Sequence, residues 1–443
     1  MKILTISDNP NIFSGLAKVH RHVIDGLVGK GFDVAPAVWF AFDTKTMAMM
    51  QHGHKPEQPE YKGIKMYPLA RNENAPLAAH DICKMARPDV VLTIGDHWNF
   101  YYMHAVKNKL DYKFKWVAYL TVEEEEIDKK KWQPLYRYMD AVCVPSQFGQ
   151  DSIAKLGVKA HVIPYGVDEV FQRLHDEKRA QLRAERGIKD DEIRLITVAQ
   201  NTLRKNLPSI LQTAQELKSG SEGDKFKFYI HTNVGAIDPC ETYVFDLIKL
   251  AKRLGVDDMV TFPKDVSLFE GSKDELLRDE YNASDYYLST SLSEGYGMPV
   301  LEAMACGVPC LANATSTLFE HVGVPYEELS SLPPDKLRRA LHYDYTRRGP
   351  RGALFRSRVD ILPADKFVSM VDPKALAQEL RLLKTMRMMK PEALSKPELF
   401  DTRKIAAACE DYARRASWKG MVEALAEVIG QMETRTIIPV EEI

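Results

Sequence analysis

The sequence predicts an α/β protein of two doubly wound, parallel-sheet domains, and three observations lead there. At 443 residues the chain exceeds the roughly 250–300 residues beyond which a single hydrophobic core stops growing, so it is expected to divide. Short β-branched apolar runs alternate with amphipathic segments, the pattern of strands buried on both faces and joined by crossover helices. That alternation occurs twice, on either side of a charged stretch from His175 to Asp191.

In the first array, strands are expected at Lys2 to Ser7, Val34 to Phe40, Asp89 to Gly95, Trp116 to Val122, Ala141 to Ser146 and His161 to Gly166. Leu16 to Val28 reads as a helix that follows Ser14-Gly15 and stops at Gly29-Lys30-Gly31. The hinge falls at Tyr165-Gly166-Val167-Asp168. The second array has strands at Arg194 to Ala199, Lys227 to Thr232, Met259 to Phe262, Tyr286 to Thr290 and Pro309 to Ala312, with a helix from Cys240 to Leu254. Helices at Lys374 to Met386, Thr402 to Arg415 and Trp418 to Gln431 close the chain. Tandem domains of this kind are expected to face an interdomain cleft at the carboxyl ends of their strands, where α/β proteins bind ligands.

Composition narrows the function classes. Sixty Lys and Arg against 62 Asp and Glu leave a formal charge of −2, and 45% of residues are hydrophobic. This is ordinary globular composition; it excludes disorder, collagen and coiled coil, and removes the general electrostatic case for a dedicated nucleic-acid binder. The six cysteines are scattered without a CxxC pair, which argues against a zinc site and a secreted disulfide framework and points to a reducing, cytoplasmic setting. The apolar start, MKILTIS, is too short for a signal peptide, and no run approaches a membrane span.

The densest chemistry lies in Ser293-Glu294-Gly295-Tyr296-Gly297-Met298-Pro299 and its continuation to Glu302, Gly307 and Pro309. A strand ends, a Gly-rich turn follows, and Pro299 sits in the first turn of a new helix, where its missing N–H costs nothing. Backbone N–H groups at such a turn suit an oxyanion-rich ligand such as a phosphate. Glu294 and Glu302, eight residues apart, can accept hydrogen bonds from vicinal sugar hydroxyls; the plainer alternative is that they cap the helix. Arg204 and Lys205 follow the strand Arg194 to Ala199 at its carboxyl end. Cations at a helix start oppose its dipole by roughly 0.3–1 kcal/mol, so an anionic partner is expected there. A nicotinamide-dependent oxidoreductase would need GxGxxG after the first strand, and Asp8 to Leu16 holds the single glycine Gly15.

The segment EGYGMPVLEAMACGVP resembles the glutamate-x7-glutamate motif of retaining GT-B glycosyltransferases, specifically glycosyltransferase family 4, the glycosyl transferase group 1 enzymes. Further segments occur in the order that family expects: Ser14-Gly15, Val144-Pro145-Ser146, Val162 to Asp168, Arg204-Lys205-Asn206, Ala283-Ser284-Asp285 and Ser417-Trp418. The resemblance implies a GT-B architecture of two Rossmann-like domains. Residues 1–168 would form the acceptor domain, with a helix of about 416–432 packing back on it. Residues 169–415 would form the donor domain, interrupted by a basic insertion at about 331–360.

It also implies roles. Glu302 would hold the donor ribose hydroxyls; Glu294 and the amides of Gly295, Tyr296 and Gly297 the transferred sugar; Met298 to Leu301 would lie near the diphosphate. Arg204 and Lys205 would stabilise the leaving diphosphate with no metal or cofactor, and Gly15 would approach the donor from the first domain. The activity implied is retaining transfer from a nucleoside diphosphate sugar to the hydroxyl of an acceptor, a saccharide or lipid-linked sugar ahead of a protein or nucleic acid. A non-transferring sugar-nucleotide binder, or a GT-B hydrolase or epimerase, is the alternative.

Two departures from the family pattern stand out. Ala199-Gln200 replaces a common Gly-Arg, and Thr121 stands where many relatives place a histidine, leaving Asp96, His97 and Glu123 as substitutes near the sugar or acceptor. His97 beside Trp98 and the Glu123 to Glu126 run also fit plain packing and an exposed helix start. The basic segment Arg338, Arg339, Arg347, Arg348, Arg351, Arg356 and Arg358, studded with Tyr343, Tyr345 and Phe355, suits an anionic acceptor, including nucleic acid or lipid headgroups, or else a surface loop or oligomer contact.

Overall fold

The computed structural model of the protein describes residues 1–42, 46, 49–50, 56–220, 225–234, 245–263, 272–326, 345–356, 358–362, 366–389 and 401–432. The chain divides into two compact units. Met1–Val122, Glu126–Gly166 and Ser417–Ile443 form the first; Glu123–Glu125 and Val167–Ala416 form the second.

In the first unit the elements run β1 (Lys2–Asp8), α1 (Gly15–Gly29), β2 (Asp33–Trp39), β3 (Tyr67–Pro68), α2 (Ala75–Ala86), β4 (Val90–Asp96), α3 (Met103–Lys109), β5 (Lys115–Thr121), α4 (Lys129–Tyr136), β6 (Ala141–Val144), α5 (Gln147–Ala154) and β7 (His161–Val162). The strands pair in parallel in the order β3-β2-β1-β4-β5-β6-β7. This is the doubly wound order, with its reversal between β1 and β4. Helix α1 shows why the local sequence folds as it does. Ser14 is extended and its hydroxyl accepts from the Ala17 N–H, while Ala17, Val19, Val23, Ile24 and Leu27 form the buried stripe.

The second unit runs α6 (Asp176–Glu185), β8 (Ile193–Val198), α7 (Pro208–Lys218), β9 (Phe226–His231), α8 (Leu247–Leu254), β10 (Val260–Thr261), α9 (Asp274–Asn282), β11 (Tyr286–Ser289), α10 (Met298–Ala305), β12 (Cys310–Asn313), α11 (Leu318–Val322), β13 (Tyr345–Gly349), β14 (Gly352–Arg356), α12 (Pro373–Met388) and α13 (Thr402–Arg414). Its sheet order, β10-β9-β8-β11-β12-β14-β13, places the reversal between β8 and β11. All neighbours are parallel except β13, which runs antiparallel to β14.

The basic segment is therefore not simply a surface loop: β14 pairs with β12, and Leu354 and Phe355 are buried. Its alternating arginines hid an edge strand, because β13 carries polar side chains where a central strand would be apolar. Arg338, Arg339 and Tyr343 lie outside the described residues, as do the side chains of Tyr345, Arg356 and Arg358. Cys240 does too; of the helix expected from Cys240 to Leu254, the described Phe245 and Asp246 are not helical, and the helix runs Leu247–Leu254 with Asp246 as its cap. Among the described residues, Cys83, Cys143, Cys306, Cys310 and Cys409 are buried free thiols, and no helix is long and apolar enough to cross a membrane.

Helix α14 (Trp418–Gly430) belongs to the first unit and packs on α1. The Trp418 indole stacks on His22 with ring centroids 4.0 Å apart. Two glycines make this packing possible. A Cβ on Gly26 would lie 2.4 Å from Val422, and one on Gly166 would lie 2.2 Å from the Trp418 backbone nitrogen. Since backbone cannot give way as a side chain can, Gly166→Ala is expected to cost about 3 kcal/mol or more in urea unfolding. Gly29→Ala, where a Cβ meets nothing within 4 Å, should leave the midpoint within about 1 kcal/mol of wild type.

Candidate functional site

The reversal point of the second sheet delivers two loops from neighbouring strands, and the candidate chemistry sits on them. After β8, residues Leu203–Lys205 form a 3-10 turn that ends at Asn206 in the left-handed region (φ 51°), and α7 begins at Pro208. After β11, residues 290–297 lead to Gly297 (φ 84°), the N-cap of α10, with Pro299 in its first turn. Gly297 is required by that angle, not by crowding. The loops are bonded to one another: Leu292 N–H donates to the Arg204 carbonyl (2.8 Å), and the Thr290 hydroxyl reaches the carbonyls of Lys205 and Asn206 (3.1 Å each).

This bonding brings Arg204, Lys205 and Glu294 together. Lys205 Nζ lies 2.6 Å from Glu294 Oε1, and Arg204 Nη1 lies 3.2 Å from Glu294 Oε2 while donating to the Ser293 carbonyl at 2.6 Å. Arg204 Nη2 is 3.2 Å from Glu123 Oε1. Burial disfavours the charged form of Glu294, yet Lys205 and Arg204 overcome it and hold the carboxyl down at about 2. The anion that the cation pair called for is thus supplied first by the protein: two guanidinium or ammonium groups face two carboxylates. Glu123, expected near the sugar or acceptor or else at an exposed helix start, is an ion-pair partner of Arg204.

A third loop, after β12, fixes the turn. Glu294 N–H donates to Ser316 Oγ (2.8 Å), and Thr317 Oγ1 donates to the carbonyls of Glu294 and Tyr296 (3.2 Å each). His321 Nε2 also donates to the Tyr296 carbonyl, which leaves Nδ1 to accept from the Tyr412 hydroxyl at 3.2 Å. Burial lowers the His321 pKa to about 4, so the ring is neutral. Nothing in the spacing of Ser316, Thr317, His321 or Tyr412 marks them; the usable signal is that Thr315-Ser316-Thr317 is a polar run directly after a strand at the same sheet end.

Glu302, buried on α10, accepts from the Tyr281 hydroxyl at 3.1 Å. Tyr287 on β11 lies within the field of both Glu294 and Glu302, which add to burial in raising its phenol well above 10. Leu301 is buried, and Met298 opens the helix, in whose first turn the Val300 and Leu301 N–H groups donate to the Gly297 carbonyl (3.0 and 3.4 Å).

In the first unit, Gly15 is the first residue of α1, and the adjacent Ser14 both caps the helix and donates to Asp8 Oδ2 at 2.6 Å. Asp96 and Thr121 end the paired strands β4 and β5, and the Thr121 hydroxyl donates to Asp96 Oδ1 at 2.5 Å. His97 is fully buried, edge-on to Trp132 and Trp98.

With this geometry in hand, known proteins supply a frame. Residues 178–327 match the family described as Glycosyl transferases group 1. Over that stretch the chain is similar to the family. It is similar to alpha-monoglucosyldiacylglycerol synthase of Streptococcus pneumoniae, 29% identical over 215 residues, which are 46% of this chain and 42% of the relative. The matched region spans less than half the length of the curated relatives. Among solved structures, sucrose-phosphate synthase from Thermosynechococcus elongatus superposes with a TM-score of 0.66 over 98% of this chain and 100% of its own, at 15% identity. Anabaena Alr3699/HepE in complex with UDP-glucose does so with a TM-score of 0.63 over 97% and 100%, also at 15% identity. The fold is GT-B, with two Rossmann-like units, and the matched residues 178–327 lie wholly in the second.

The lowered pKa of Glu294 makes stability depend on pH in a defined direction. Its unfolded value is 4.5 and its folded value about 2, so the stabilisation is fully present above pH 4.5 and is lost as pH falls towards 2. It amounts to about 3 kcal/mol. Glu294→Gln lacks it at every pH, so the urea midpoints of variant and wild type should converge on acidification through that window. A gap that persists unchanged would show that the ion cluster is not its source.

Proposed function

We propose that this chain is a glycosyltransferase that moves a sugar from a nucleoside diphosphate sugar to an acceptor hydroxyl with retention at the anomeric carbon. The observation that carries this reading is the convergence of Arg204, Lys205 and Glu294 at the reversal point of the second sheet, beside the Gly-rich start of α10. The group 1 family match and the UDP-glucose complex of HepE support it. The donor diphosphate takes over the Arg204 and Lys205 donors, which stabilise the charge that develops as the sugar–phosphate bond breaks. No metal ion is assigned a part in that step. Glu294, released from part of its pairing, accepts hydrogen bonds from the sugar, and Glu302 from the donor ribose, with the amides of Gly295, Tyr296 and Gly297 at the sugar.

Reaction then proceeds on one face of the sugar. The acceptor oxygen bonds to the anomeric carbon, the bond to the phosphate oxygen breaks, and the acceptor's proton passes to that departing oxygen. Asp96, paired with Thr121, and the first turn of α1 at Gly15 are assigned to the acceptor and donor sides of the first unit. The acceptor class proposed is a saccharide or lipid-linked sugar, and the setting cytoplasmic.

The test is incubation with radiolabelled UDP-, GDP- and ADP-sugars, scoring transfer, hydrolysis and retention of label on the protein. Transfer with at least one donor is expected. Glu294→Gln and Lys205→Met should each lower it by about a hundredfold or more while circular dichroism stays native. Hydrolysis or binding without transfer would move the chain to the hydrolase or binder class, and undiminished transfer in both variants would remove the proposed mechanism.

A further inference from the structure

At the opposite end of the second sheet lies a cavity of about 320 Å³ with a different charge pattern. It opens at the amino ends of the strands, at Tyr286 of β11, Pro309 before β12 and Gly352 of β14. With four-residue strands rising about 3.3 Å per residue, it stands roughly 10 Å or more from the Glu294 cluster. Six arginines line it: Arg173, Arg179 and Arg183 on and just before α6, Arg348 on β13, Arg387 in the last turn of α12 and Arg403 in the first turn of α13. Only two carboxylates, Asp176 and Asp285, are among the lining residues.

Those carboxylates are already engaged. Asp285 accepts from Arg183 (2.9 Å), Arg387 (2.6 Å) and the Arg194 N–H (2.8 Å), and Asp176 pairs with Arg173 at 2.8 Å from a largely exposed position. Arg348 reaches Glu379 at 3.3 Å. Among the described residues no ion pair holds Arg179 or Arg403. Burial, and then the neighbouring Arg173, pull Arg179 below its ordinary value, against the opposing pull of Asp285 and Asp176. The 13-residue helix α13 brings Thr402 and Arg403 to the cavity wall, its amino end capped by the Asp401 carboxylate, which accepts from the Arg403 and Lys404 N–H groups. A concentration of cations in a concave site costs stability unless an anion completes it.

We propose that this cavity binds a small molecule carrying two or more phosphate groups, at a site distinct from the Glu294 cluster. Guanidinium groups bind phosphate through paired N–H donors, and several arginines arranged around one cavity fit several phosphate oxygens at once. The volume suits a small ligand and excludes a polymer. The floor of Leu311, Ala353, Leu383 and Ala406 offers an apolar surface for the ligand's carbon skeleton. This site rests on its own residues, all within Val167–Ala416, and stands whether or not the chain transfers sugar.

The test is residue-resolved arginine modification of the full-length protein with phenylglyoxal, read by mass spectrometry, with pyrophosphate as the probe and sodium chloride at matched ionic strength as the control. Pyrophosphate at about four times its dissociation constant is expected to slow modification of Arg179 and Arg403 about fivefold. Protection confined to Arg204, or equal protection by chloride, would overturn the site. As a second measurement, Arg179→Gln/Arg403→Gln should lose at least half of the pyrophosphate-induced rise in melting temperature while keeping the wild-type far-ultraviolet spectrum. An undiminished rise would count equally against it.

Discussion

A carboxylate buried at the end of a parallel sheet is tolerated only when cations are brought to it, and Glu294 imposes that condition on three loops at once. Lys205 and Arg204 meet it from the loop after β8, but they can do so only because Leu292, Ser293 and Thr290 tie that loop to the one after β11. Asn206 takes a left-handed conformation so that the chain can turn from this contact directly into α7. The loop after β12 contributes Ser316 and Thr317, which hold the backbone of Glu294 and Tyr296 in place. Position, charge and backbone geometry at the start of α10 are therefore one coupled arrangement.

The same sheet carries contrasting electrostatics at its two ends. At the carboxyl ends Arg204 and Lys205 are paired with Glu294 and Glu123, so a charged ligand must exchange partners with groups already paired. At the amino ends arginines outnumber carboxylates and the imbalance is left for something else to fill. Exchange of partners favours a ligand whose charge changes during reaction, because the protein's own carboxylates stand ready to re-form their pairs when it leaves. Simple neutralisation favours a ligand that stays unchanged.

Much of the fold was legible because buried parallel strands are written as continuous apolar runs, and the helices α1 and α14 carry both a buried stripe and a serine cap. Arg204, Lys205 and Glu294 were legible for a different reason: glycine, proline and fixed charges at strand ends are residue choices that a plain connection does not need. What escaped notice was carried by residue types common anywhere. Tyr281, Tyr287, His321 and Thr317 acquire meaning only when the sheet aligns them, and β13 and β14 were obscured by arginines that serve an edge and a cavity wall. Glu123 was read for its charge, but its partner lies 81 positions away and no spacing rule connects them. His97 was read from its place at a strand end, and the structure adds that its ring is buried beside Trp98 and Trp132.

The seating of Trp418 against Gly166 and His22 makes the first unit discontinuous along the chain, with its final helix contributed after the whole second unit has been traversed. During translation, then, the amino-terminal sheet emerges early but waits, with the α1 surface that receives α14 uncovered, until some 250 further residues have left the ribosome. The nascent chain must keep that apolar face from aggregating throughout the interval, which makes the order of synthesis, and chaperone protection during it, part of how this architecture is reached.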